Sequence, residues 1–417
     1  MKFIADFHIH SRYSRATSSS INIPTLSHWS KLKGVNLLGS GDFTHHLWLE
    51  ELKRYLKPAV GRGLYVYDGV HFVLSGEISS IFTQKGKVYK VHNLVLAPSF
   101  EVVQEINKAL SSLGNLASDG RPILGINCYS LAELLFNISD DIMLIPAHIW
   151  TPWFSLFGSN SGFDNIEDAF GKYTSKITAL ETGLSSDPLM NWRLSALDKF
   201  SLVSNSDAHS PSKIAREANV FDCDLDYFEI KNVLQNKDKQ KFLYTIEFFP
   251  EEGKYHYDGH RNCNISLHPS KTKEYRNLCP VCGRGLTLGV LNRVNHLADR
   301  QEGFIPNDSV GFKSLVPLEE IIASVKSISK TSKQVEREYL DILSRFPDEL
   351  SVLSEIPFAD LKKHMSLSIA EGIMKVRDKQ LSLIPGFDGE YGKIEIIKSD
   401  FASSPKEQSG SGQMTLF

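Results

Sequence analysis

The sequence predicts an α/β protein whose N-terminal half carries a parallel sheet, followed by a small metal-binding module and a helical C-terminal region. Three observations predict this class: unbroken apolar runs in the first half, a stretch crowded with cysteine and histidine, and apolar residues at helical spacing beyond it. The chain has 417 residues, 41% of them hydrophobic and 23% charged, with a net charge of −3. This length predicts two to three domains, and this composition excludes wholesale disorder.

Seven short runs rich in Val, Ile, Leu and Phe are predicted to be strands. Unbroken apolar runs suit strands that are buried on both faces of a parallel sheet. The predicted strands span residues 2–10, 36–44, 71–81, 87–96, 141–149, 177–182 and 201–207. Helical spacing at 24–33 and 101–113 puts helices between strands, and such repeated units predict a parallel sheet that is either open or closed into a barrel.

Changes in composition divide the chain into four parts. The alternation of strands and helices breaks near residue 242, helical spacing runs from 316 to 379, and a turn-forming segment at 385–389 ends it. Past residue 403, a Ser/Gly-rich stretch predicts a flexible linker. We therefore expect domains at 1–240, 241–300 and 301–395, with a tail at 396–417.

The apolar runs, the first residues and the cysteines also predict the cellular location of the protein. No apolar run approaches the ~20 residues of a membrane span, and Asp6 makes the start acidic too early for a signal peptide. Five cysteines, three of them in one short stretch, favour a metal site in a reducing cytoplasm over disulfides. We expect a cytoplasmic protein with no membrane partner.

Histidines and carboxylates fall where the predicted strands end. His8 and His10 end the first strand, and a period of two puts both on one side, where they can share a metal ion. The further candidates are Asp42, His45, Glu77, His92, His148, Asp207 and His209, with His46 only as a neighbour of His45. A single histidine is more often packed in a core or loop, but repetition at six strand ends predicts a polynuclear site for Zn²⁺, Mn²⁺ or Fe²⁺.

The order of these motifs resembles that of the PHP (polymerase and histidinol phosphatase) superfamily. The resemblance rests on the Asp-x-His-x-His of residues 6–10, Asp42 with His45, Glu77, His92, His148, and the Asp-x-His of residues 207–209. It implies a distorted (β/α)7 barrel whose active site binds two to three divalent ions of zinc, magnesium or manganese.

Within this superfamily, the chain is similar to the endonuclease Q family in its bacterial form. The similarity covers nearly the whole chain and rests on residues 76–79, 181–188, 255–260, 279–283, 289–291 and 297–300. It implies a DNA-repair endonuclease of the nucleoid that acts on damaged duplex or single-stranded DNA. Such an enzyme nicks the strand 5′ of deaminated bases (uracil, hypoxanthine, xanthine) and abasic sites, leaving 3′-hydroxyl and 5′-phosphate ends.

The resemblance also implies which residues hold the metal ions. Matching positions assign one ion to the catalytic residues His8, His10, Glu77 and Asp207, a second to Glu77, His92 and His148, and a third to His45 and His209. Many PHP proteins place an Asp or His shortly after the first motif, but segment 11–18 has neither, so water or substrate phosphate would complete the third ion. Arg12 and Arg15 in that segment are candidates for contact with the DNA backbone.

A second ligand set lies in the middle of the chain. His260-x-x-Cys263 and Cys279-x-x-Cys282 have the spacing of a closed, tetrahedral structural zinc site. The fourth ligand stays open, because His256 and His268 are close enough to replace His260. The alternative, three free buried cysteines, is disfavoured by the Cys-Pro-x-Cys-Gly signature. Cys128 and Cys223 are expected to pack as small apolar residues.

Two features are candidates for contact with DNA. The zinc stretch is locally basic through Arg261, Lys271, Lys273, Arg276, Arg284 and Arg293. Such charges are often only a solvated face, but the resemblance favours a DNA clamp. A nuclease that inspects a damaged base flips it out of the stack. Candidates to read or stack on that base are Gly183, Ser185, Ser186, Trp150 and Trp153, although core packing is the favoured explanation for the two tryptophans.

The chain ends in a short polar-apolar peptide after its Ser/Gly-rich linker. Residues 413–417 resemble the Gln-x-x-Leu-Phe peptide with which bacterial proteins bind the β sliding clamp. Gln413 would hydrogen-bond at the rim of the clamp pocket while Leu416 and Phe417 fill it. The alternative is an ordinary apolar terminus.

Two other functions compete with lesion-directed cleavage of DNA. One is a PHP phosphoesterase that acts on a small phosphorylated metabolite, but the zinc module and the clamp-like tail have no role there. The other is a catalytically inactive PHP scaffold that only binds DNA or a clamp. The filled ligand positions count against the scaffold.

Overall fold

The computed structural model describes residues 1–396 of the chain. Its strands are β1 (Lys2–Asp6), β2 (Leu37–Gly39), β3 (Lys57–Pro58), β4 (Tyr65–Tyr67), β5 (Val70–Gln84), β6 (Lys87–Ala97), β7 (Ile123–Leu124), β8 (Met143–Pro146), β9 (Ala179–Glu181), β10 (Ser201–Val203), β11 (Ala218–Asp222), β12 (Phe242–Glu247), β13 (Asp258–His260), β14 (Ile265–Leu267), β15 (Gly311–Ser314), β16 (Leu381–Ile384) and β17 (Lys393–Ile396). Its α-helices are α1 (Ile23–Lys33), α2 (His46–Tyr55), α3 (Phe100–Ser111), α4 (Cys128–Ile138), α5 (Ile166–Phe170), α6 (Pro188–Asn191), α7 (Tyr227–Gln235), α8 (Pro269–Glu274), α9 (Val290–Leu297), α10 (Leu318–Lys326), α11 (Lys333–Leu343), α12 (Glu349–Ser354), α13 (Phe358–His364) and α14 (Leu367–Arg377).

The predicted α/β class is confirmed, but the main sheet is mixed rather than parallel. Strands β1, β2 and β5 pair in parallel, as the apolar runs predict. Strand β6 instead runs antiparallel to both β5 and β8, and β11 runs antiparallel to β1. Closure of this sheet into a (β/α)7 barrel stays a prediction.

The antiparallel β5–β6 pair has a local cause. Lys85 and Gly86 connect the two strands, and both have positive φ, at 49° and 77°. Two consecutive residues with positive φ form the tight turn whose twist matches a β-hairpin. The chain therefore reverses at once, where the predicted parallel arrangement needs a long crossover.

Most of the strands that carry candidate ligands are shorter than predicted. Strand β1 ends at Asp6 and β10 at Val203, whereas the apolar runs predicted strands to residues 10 and 207. The ligand-rich residues that follow are thus loop residues at the strand ends. Ile9 and Ala208 still pair as an isolated parallel bridge, which keeps these two loops side by side.

Helix prediction succeeds where capping chemistry is present. Helix α1 begins after Asn22, whose side chain accepts from Thr25 N–H, and ends at Gly34 with φ of 90°. Beyond residue 316, the predicted helical region consists of α10 to α14. Among residues 1–396, no helix is long and apolar enough to cross a membrane.

The C-terminal hairpin ties the cysteine-rich segment to the rest of the chain. Strands β16 and β17 pair antiparallel, and the loop between them packs against β13. In that loop Phe387 bridges Tyr257, and Asp388 accepts hydrogen bonds from Arg261 N–H and the Thr287 hydroxyl. The predicted turn at 385–389 therefore also serves as an anchor. The clamp-like residues Gln413, Leu416 and Phe417 lie outside the described residues.

Candidate metal centre

Four predicted catalytic residues converge beside the end of β1. His8, His10, Glu77 and Asp207 each offer one ligand atom, and these atoms all lie within 4.8 Å of one another. His10 Nε2 lies 2.9 Å from Asp207 Oδ1 and 3.3 Å from Glu77 Oε2. Both histidine side chains and Glu77 are fully buried. The structure thus brings this predicted set together.

A second group shares Glu77. Glu77 Oε1 lies 2.7 Å from His92 Nδ1 and 3.2 Å from His148 Nε2, and the three ligand atoms fit within 4.8 Å. The other oxygen of Glu77, Oε2, faces the first group. One carboxylate therefore faces both ligand sets, each with its own oxygen, as a metal-bridging carboxylate does.

Two buried carboxylates orient the first pair of histidines. His8 Nδ1–H donates to Glu181 at 3.0 Å, and His10 Nδ1–H donates to Asp42 at 3.0 Å. These bonds fix the tautomer in which Nε2 is free to bind a metal ion. Asn205 in turn donates to Glu181 at 2.8 Å, so that carboxylate is itself held in place.

Sequence reasoning missed these orienting roles. The sequence motif pairs Asp42 with His45, and the family resemblance includes Glu181 only as part of residues 181–188. Glu181 lies at the end of a predicted strand, where the candidate ligands also occur, and this position indicates a role at the site. Its partner His8 cannot be predicted from local sequence, because the two residues lie 173 positions apart.

The donor set fits a divalent metal ion. His8 Nε2 is a buried nitrogen without a hydrogen-bond partner among the described residues, and it points at Glu77 and Asp207. A buried polar atom rarely stays unpaired, so this nitrogen requires a ligand. Imidazole nitrogen with carboxylate oxygen is a combination that Zn²⁺ and Mn²⁺ accept.

The electrostatics of the site keep the carboxylates ionised. Burial opposes ionisation of Glu77, but His92, Arg121 and His8 hold its pKa well below the usual range. Burial likewise opposes ionisation of Asp207, yet hydrogen bonding and charge from His10 lower its pKa. Burial lowers the pKa of His92 to about 4, which leaves its imidazole neutral at pH 7. Burial opposes protonation of His8 and His10, but Glu181 and Asp42 raise the pKa of these two imidazoles, so a metal ion that binds there displaces protons.

Three non-glycine residues at this site have left-handed backbone conformations. Asp42, His148 and Asp207 all have positive φ, at 45°, 31° and 47°. Such conformations cost about 1–3 kcal/mol each in non-glycine residues and persist where the surrounding structure enforces them. Three of them at one site indicate that the fold holds these side chains in functional positions.

The two predicted ligands of a third ion lie at the edge of the cluster. The His209 ring lies 4.6 Å from the His10 ring, and His45 stacks on Tyr13 with ring centroids 4.3 Å apart. Neither residue belongs to a group of three or more ligand atoms among the described residues. Their binding of a third ion stays a prediction. His46 stacks on His45 and also has no place in such a group.

The candidate base-recognition residues occupy different environments. Trp150 is fully buried and its indole donates to Asn191 at 2.8 Å, so core packing accounts for it. Ser186 is buried as well, and its hydroxyl donates to Thr182 O at 2.9 Å. Gly183 packs against His148, where an added Cβ would lie 2.5 Å from His148 Cβ. Of this set, Trp153 and Ser185 keep accessible surface.

The predicted structural zinc ligands also come together. His260, Cys263, Cys279 and Cys282 offer ligand atoms within 4.8 Å of one another, with His260 Nδ1 3.7 Å from Cys282 Sγ. His260 rather than His256 or His268 therefore completes the group. Cys128 and Cys223 lie in the hydrophobic core, as expected for small apolar packing.

Two of the arginines proposed for DNA are engaged in the protein. Arg293 donates to the backbone oxygens of Phe157 and Phe163, so it braces the fold rather than presenting a free charge. Arg12 pairs with Glu51 and donates to Ile21 O at 3.0 Å. Arg15 also has a partner, since its Nε lies 3.3 Å from Asp119 Oδ2, but its side chain is 75% exposed.

Comparisons with known proteins agree with this architecture. The family profile of the MJ0043 C-terminal domain matches residues 317–380. The uncharacterized protein MJ0043 of Methanocaldococcus jannaschii is 32% identical over 255 residues, which cover 59% of this chain and 31% of that protein. This chain thus spans about a third of that relative. The uncharacterized protein YqxK of Bacillus subtilis is 28% identical over 376 residues, covering 88% of this chain and 90% of YqxK.

Two solved structures match almost the entire chain. One is the lesion-specific endonuclease PfuEndoQ of Pyrococcus furiosus, with a TM-score of 0.85, 33% identity, and coverage of 95% of this chain and 96% of that one. The other is endonuclease Q bound to a 27-mer duplex with an abasic lesion at its active site, with a TM-score of 0.85, 32% identity, and coverage of 95% and 97%. The chain belongs to the endonuclease Q family of lesion-specific endonucleases.

Proposed function

We propose that the protein is a metal-dependent DNA endonuclease that nicks the strand 5′ of deaminated bases (uracil, hypoxanthine, xanthine) and abasic sites. One observation carries the metal-dependent part: Glu77 offers one oxygen to each of two ligand groups, beside the unpaired Nε2 of His8. Membership in the endonuclease Q family supports the lesion-directed part. The abasic duplex in the related complex makes the same class of substrate the expected one here.

The side chains of the cluster would divide the work between binding and orientation. His8, His10 and Asp207 would hold one ion, His92 and His148 a second, and Glu77 would contact both. Divalent ions bound there neutralise the phosphodiester and lower the pKa of a water molecule toward neutrality. Glu181 and Asp42 would keep the imidazoles in the ligating tautomer. We assign a weaker third site to His45 and His209.

The ends of the product follow from which bond breaks. In an in-line displacement, a water oxygen bonds to phosphorus while the bond from phosphorus to the 3′-oxygen breaks. The attacking water gives up a proton and the leaving oxygen takes one up, which yields a 3′-hydroxyl. The phosphate stays on the 5′-oxygen of the downstream fragment. We therefore propose 3′-hydroxyl and 5′-phosphate ends.

The zinc module is the proposed DNA clamp. Its ligand group fits one structural zinc ion, and Lys271, Lys273, Arg276 and Arg284 are exposed around it. Such cations bind backbone phosphates without sequence preference. Domain limits at 240, 300 and 395 are part of this proposal, with the module between the nuclease domain and the helical domain.

We propose fewer residues for recognition of the flipped base than the sequence indicated. Ser185 follows Gly183 and keeps accessible surface, so its hydroxyl and amide are available to read an altered base edge. Trp153 is 39% exposed and its ring lies 5.5 Å from that of Tyr255. This pair is suited to stacking on an unpaired base.

We propose that the C-terminal peptide recruits the enzyme to a bacterial β sliding clamp. Gln413 would hydrogen-bond at the pocket rim, with Leu416 and Phe417 inserted. A clamp bound to DNA would place the nuclease in the cytoplasm at the nucleoid. Deletion of residues 413–417 should abolish clamp binding in a pull-down and leave nicking of short oligonucleotides unchanged.

The central test is nicking of end-labelled duplexes that carry one deoxyinosine, one uracil or one abasic site. We expect one cut 5′ of each lesion, no cut in the undamaged duplex, and loss of activity with a chelator. His8→Ala combined with His10→Ala should abolish the cut. Retained cleavage in that double variant would overturn the site assignment.

The same assay separates the competing functions. Turnover of p-nitrophenyl phosphate and phosphorylated metabolites without any cut in damaged DNA would instead identify a small-molecule phosphoesterase. Binding of DNA with neither activity, in protein loaded with Zn²⁺ or Mn²⁺, would identify an inactive scaffold.

A further inference from the structure

A buried arginine lies inside the metal centre, where the ligand motifs give no reason for it. Arg121 Nη1 donates to Glu77 Oε2 at 3.0 Å, the oxygen that faces His8 and His10. Its side chain is only 22% exposed. Because Glu77 belongs to both ligand groups, this contact places the guanidinium at the centre itself.

The loop that carries Arg121 is fastened to the ligand-bearing segments. Gly120 N–H donates to Tyr13 O at 3.0 Å, and Gly120 O accepts from the Thr44 hydroxyl at 3.0 Å. An added Cβ at Gly120 would lie 2.2 Å from Asp42 Oδ2, so only glycine lets the loop approach this closely. Asp119 then accepts from Arg121 N–H at 3.1 Å. The guanidinium is therefore presented on a backbone that is fixed relative to the site.

Most of the hydrogen-bonding capacity of this guanidinium is unused. Arginine has five N–H donors in a planar fork. In the described part of the chain, Glu77 is the one side chain to which Arg121 donates a hydrogen bond. Because the side chain is 22% exposed, part of this donor fork remains accessible from solvent. They are free to bind an oxygen-rich anion.

Charge balance indicates what that anion is. Glu77 and Asp207 at the ligand groups and Asp42 and Glu181 behind the histidines supply four carboxylates, which the four positive charges of two divalent ions would balance. The guanidinium of Arg121 adds one more positive charge to this centre, which is unfavourable unless a further anion joins it. A phosphodiester at the metal centre supplies this anion and gains negative charge in the transition state, where fixed donors stabilise it most.

We propose that Arg121 binds the phosphodiester that is cut: with Nη1 held on Glu77, its other N–H groups donate to a non-bridging oxygen of the scissile phosphate. The inference rests on the proposed cleavage of DNA and adds a protein contact at the reacting group. Planar, charge-assisted donors of this kind match phosphate oxygens better than an ammonium group does.

The test is a double-mutant cycle on binding, measured with full-length, metal-loaded protein. Arg121→Gln is combined with a lesion duplex in which a neutral methylphosphonate replaces the scissile phosphate. Ca²⁺ replaces the active-site ions so that no strand is cut. Arg121→Gln should bind normal DNA about tenfold more weakly than wild type does, the size of one charge-assisted hydrogen bond. The methylphosphonate should weaken binding of wild type about tenfold more than it weakens binding of Arg121→Gln, which keeps only the contact of the phosphate with the metal ions.

Additive losses from the two changes would overturn the proposal, because they would mean independent contacts. Metal content gives a second readout. Arg121→Gln should keep the same number of ions per chain, whereas loss of an ion would reduce Arg121 to a support for Glu77 and overturn the proposal. Arg121→Lys keeps the charge and should restore part of the affinity.

The matched control is Arg62→Gln. Arg62 pairs with Asp226 on the exposed surface near the start of β1, away from the ligand groups. Its removal should change neither affinity nor metal content. If wild type neither binds nor nicks lesion DNA, the proposed function itself fails. If wild type nicks and Arg121→Gln behaves like Arg62→Gln, only the role of Arg121 fails.

Discussion

A glycine, rather than a ligand, limits how His148 can be placed. Gly183 has φ of +66°, and an added Cβ would lie 2.5 Å from His148 Cβ. Gly183→Ala should therefore displace His148, lower the melting temperature, and reduce the number of bound ions and the nicking rate together. Calorimetry, elemental analysis and a nicking assay of the purified variant measure these three effects.

The control for this prediction is Gly86→Ala. Gly86 has φ of +77° with nothing within 4 Å of the added Cβ, so it isolates the cost of the left-handed backbone, about 1–2 kcal/mol. This variant should lose stability and keep its ions and nicking activity. Equal metal loss in both variants would show that the contact with His148 is unimportant.

Glu181 should matter for metal affinity although it need not touch the ion. Glu181→Gln keeps the shape of the side chain but removes the charge that holds His8 Nδ1–H. Loss of such a supporting contact typically weakens metal affinity about 10–100-fold. Competition with a chelator measures this loss. Glu105→Gln, an exposed change on α3, should leave the affinity unchanged.

A buried glutamate beneath the site should make stability depend on pH. Burial raises the pKa of Glu247 to about 8, although the hydroxyls of Ser204 and Thr182 donate to it. Between its ordinary pKa of 4.5 and about 8, the folded state keeps a proton that the unfolded state releases. The free energy of unfolding therefore falls as pH rises through this window.

Glu247→Gln, which is neutral at every pH, should remove the contribution of Glu247 to this dependence, while Glu217 and Glu252, whose pKa burial also raises, keep theirs. Its melting temperature relative to wild type should rise steadily from pH 5 to pH 8, as followed by calorimetry in matched buffers. Glu105→Gln should leave the slope as it is. If the melting temperature of Glu247→Gln relative to wild type fell with rising pH, the assignment of a protonated Glu247 would be contradicted.

At the scale of elements, the proposed zinc module has only a small core, so we expect it to need a metal ion to hold its shape. Its strands β13 and β14 have three residues each, and Tyr275, Leu278 and Val281 are exposed. Cys282→Ser should therefore remove one zinc ion per chain and expose residues 258–291 to proteolysis. Cys128→Ala changes a cysteine of the core and should keep that ion.

Local sequence predicts helices well where apolar residues recur at helical spacing. The spacing at 24–33 predicted α1, to which the structure adds the Asn22 cap and Gly34 as the final cap, and the spacing at 316–379 predicted the C-terminal helices. The reversal of the chain between β5 and β6 was not predicted, although Lys85-Gly86 is a residue pair suited to a tight turn. Apolar runs alone do not distinguish parallel from antiparallel pairing, because both bury the same side chains.

At the scale of the whole molecule, one buried ion pair joins the N-terminal sheet region to the C-terminal helices. Lys33 of α1 lies 2.5 Å from Glu349 of α12, and Glu349 also accepts from the Tyr339 hydroxyl at 2.6 Å and Leu318 N–H at 2.9 Å. Glu349→Ala would leave the buried Lys33 ammonium unpaired, at a cost of about 3–5 kcal/mol.

Thermal unfolding measures this cost. Glu349→Ala should lower the melting temperature by several degrees, while Asp360→Ala, which breaks the exposed pair with Lys363, should leave it nearly unchanged. Equal melting temperatures for the two variants would mean that the interface is held by apolar packing alone.

The sequence by itself determined which side chains are candidate metal ligands, in what order they occur along the chain, and which cysteines are candidates for a second site. Those facts lie in residue type and short spacing, which are local. Only the tertiary structure decided that Glu77 faces both ligand groups, that Glu181 and Asp42 orient the histidines, that His260 completes the cysteine group, and that Arg121 enters the centre. Such partners are remote in sequence and meet only when the sheet assembles, so no short pattern could predict them.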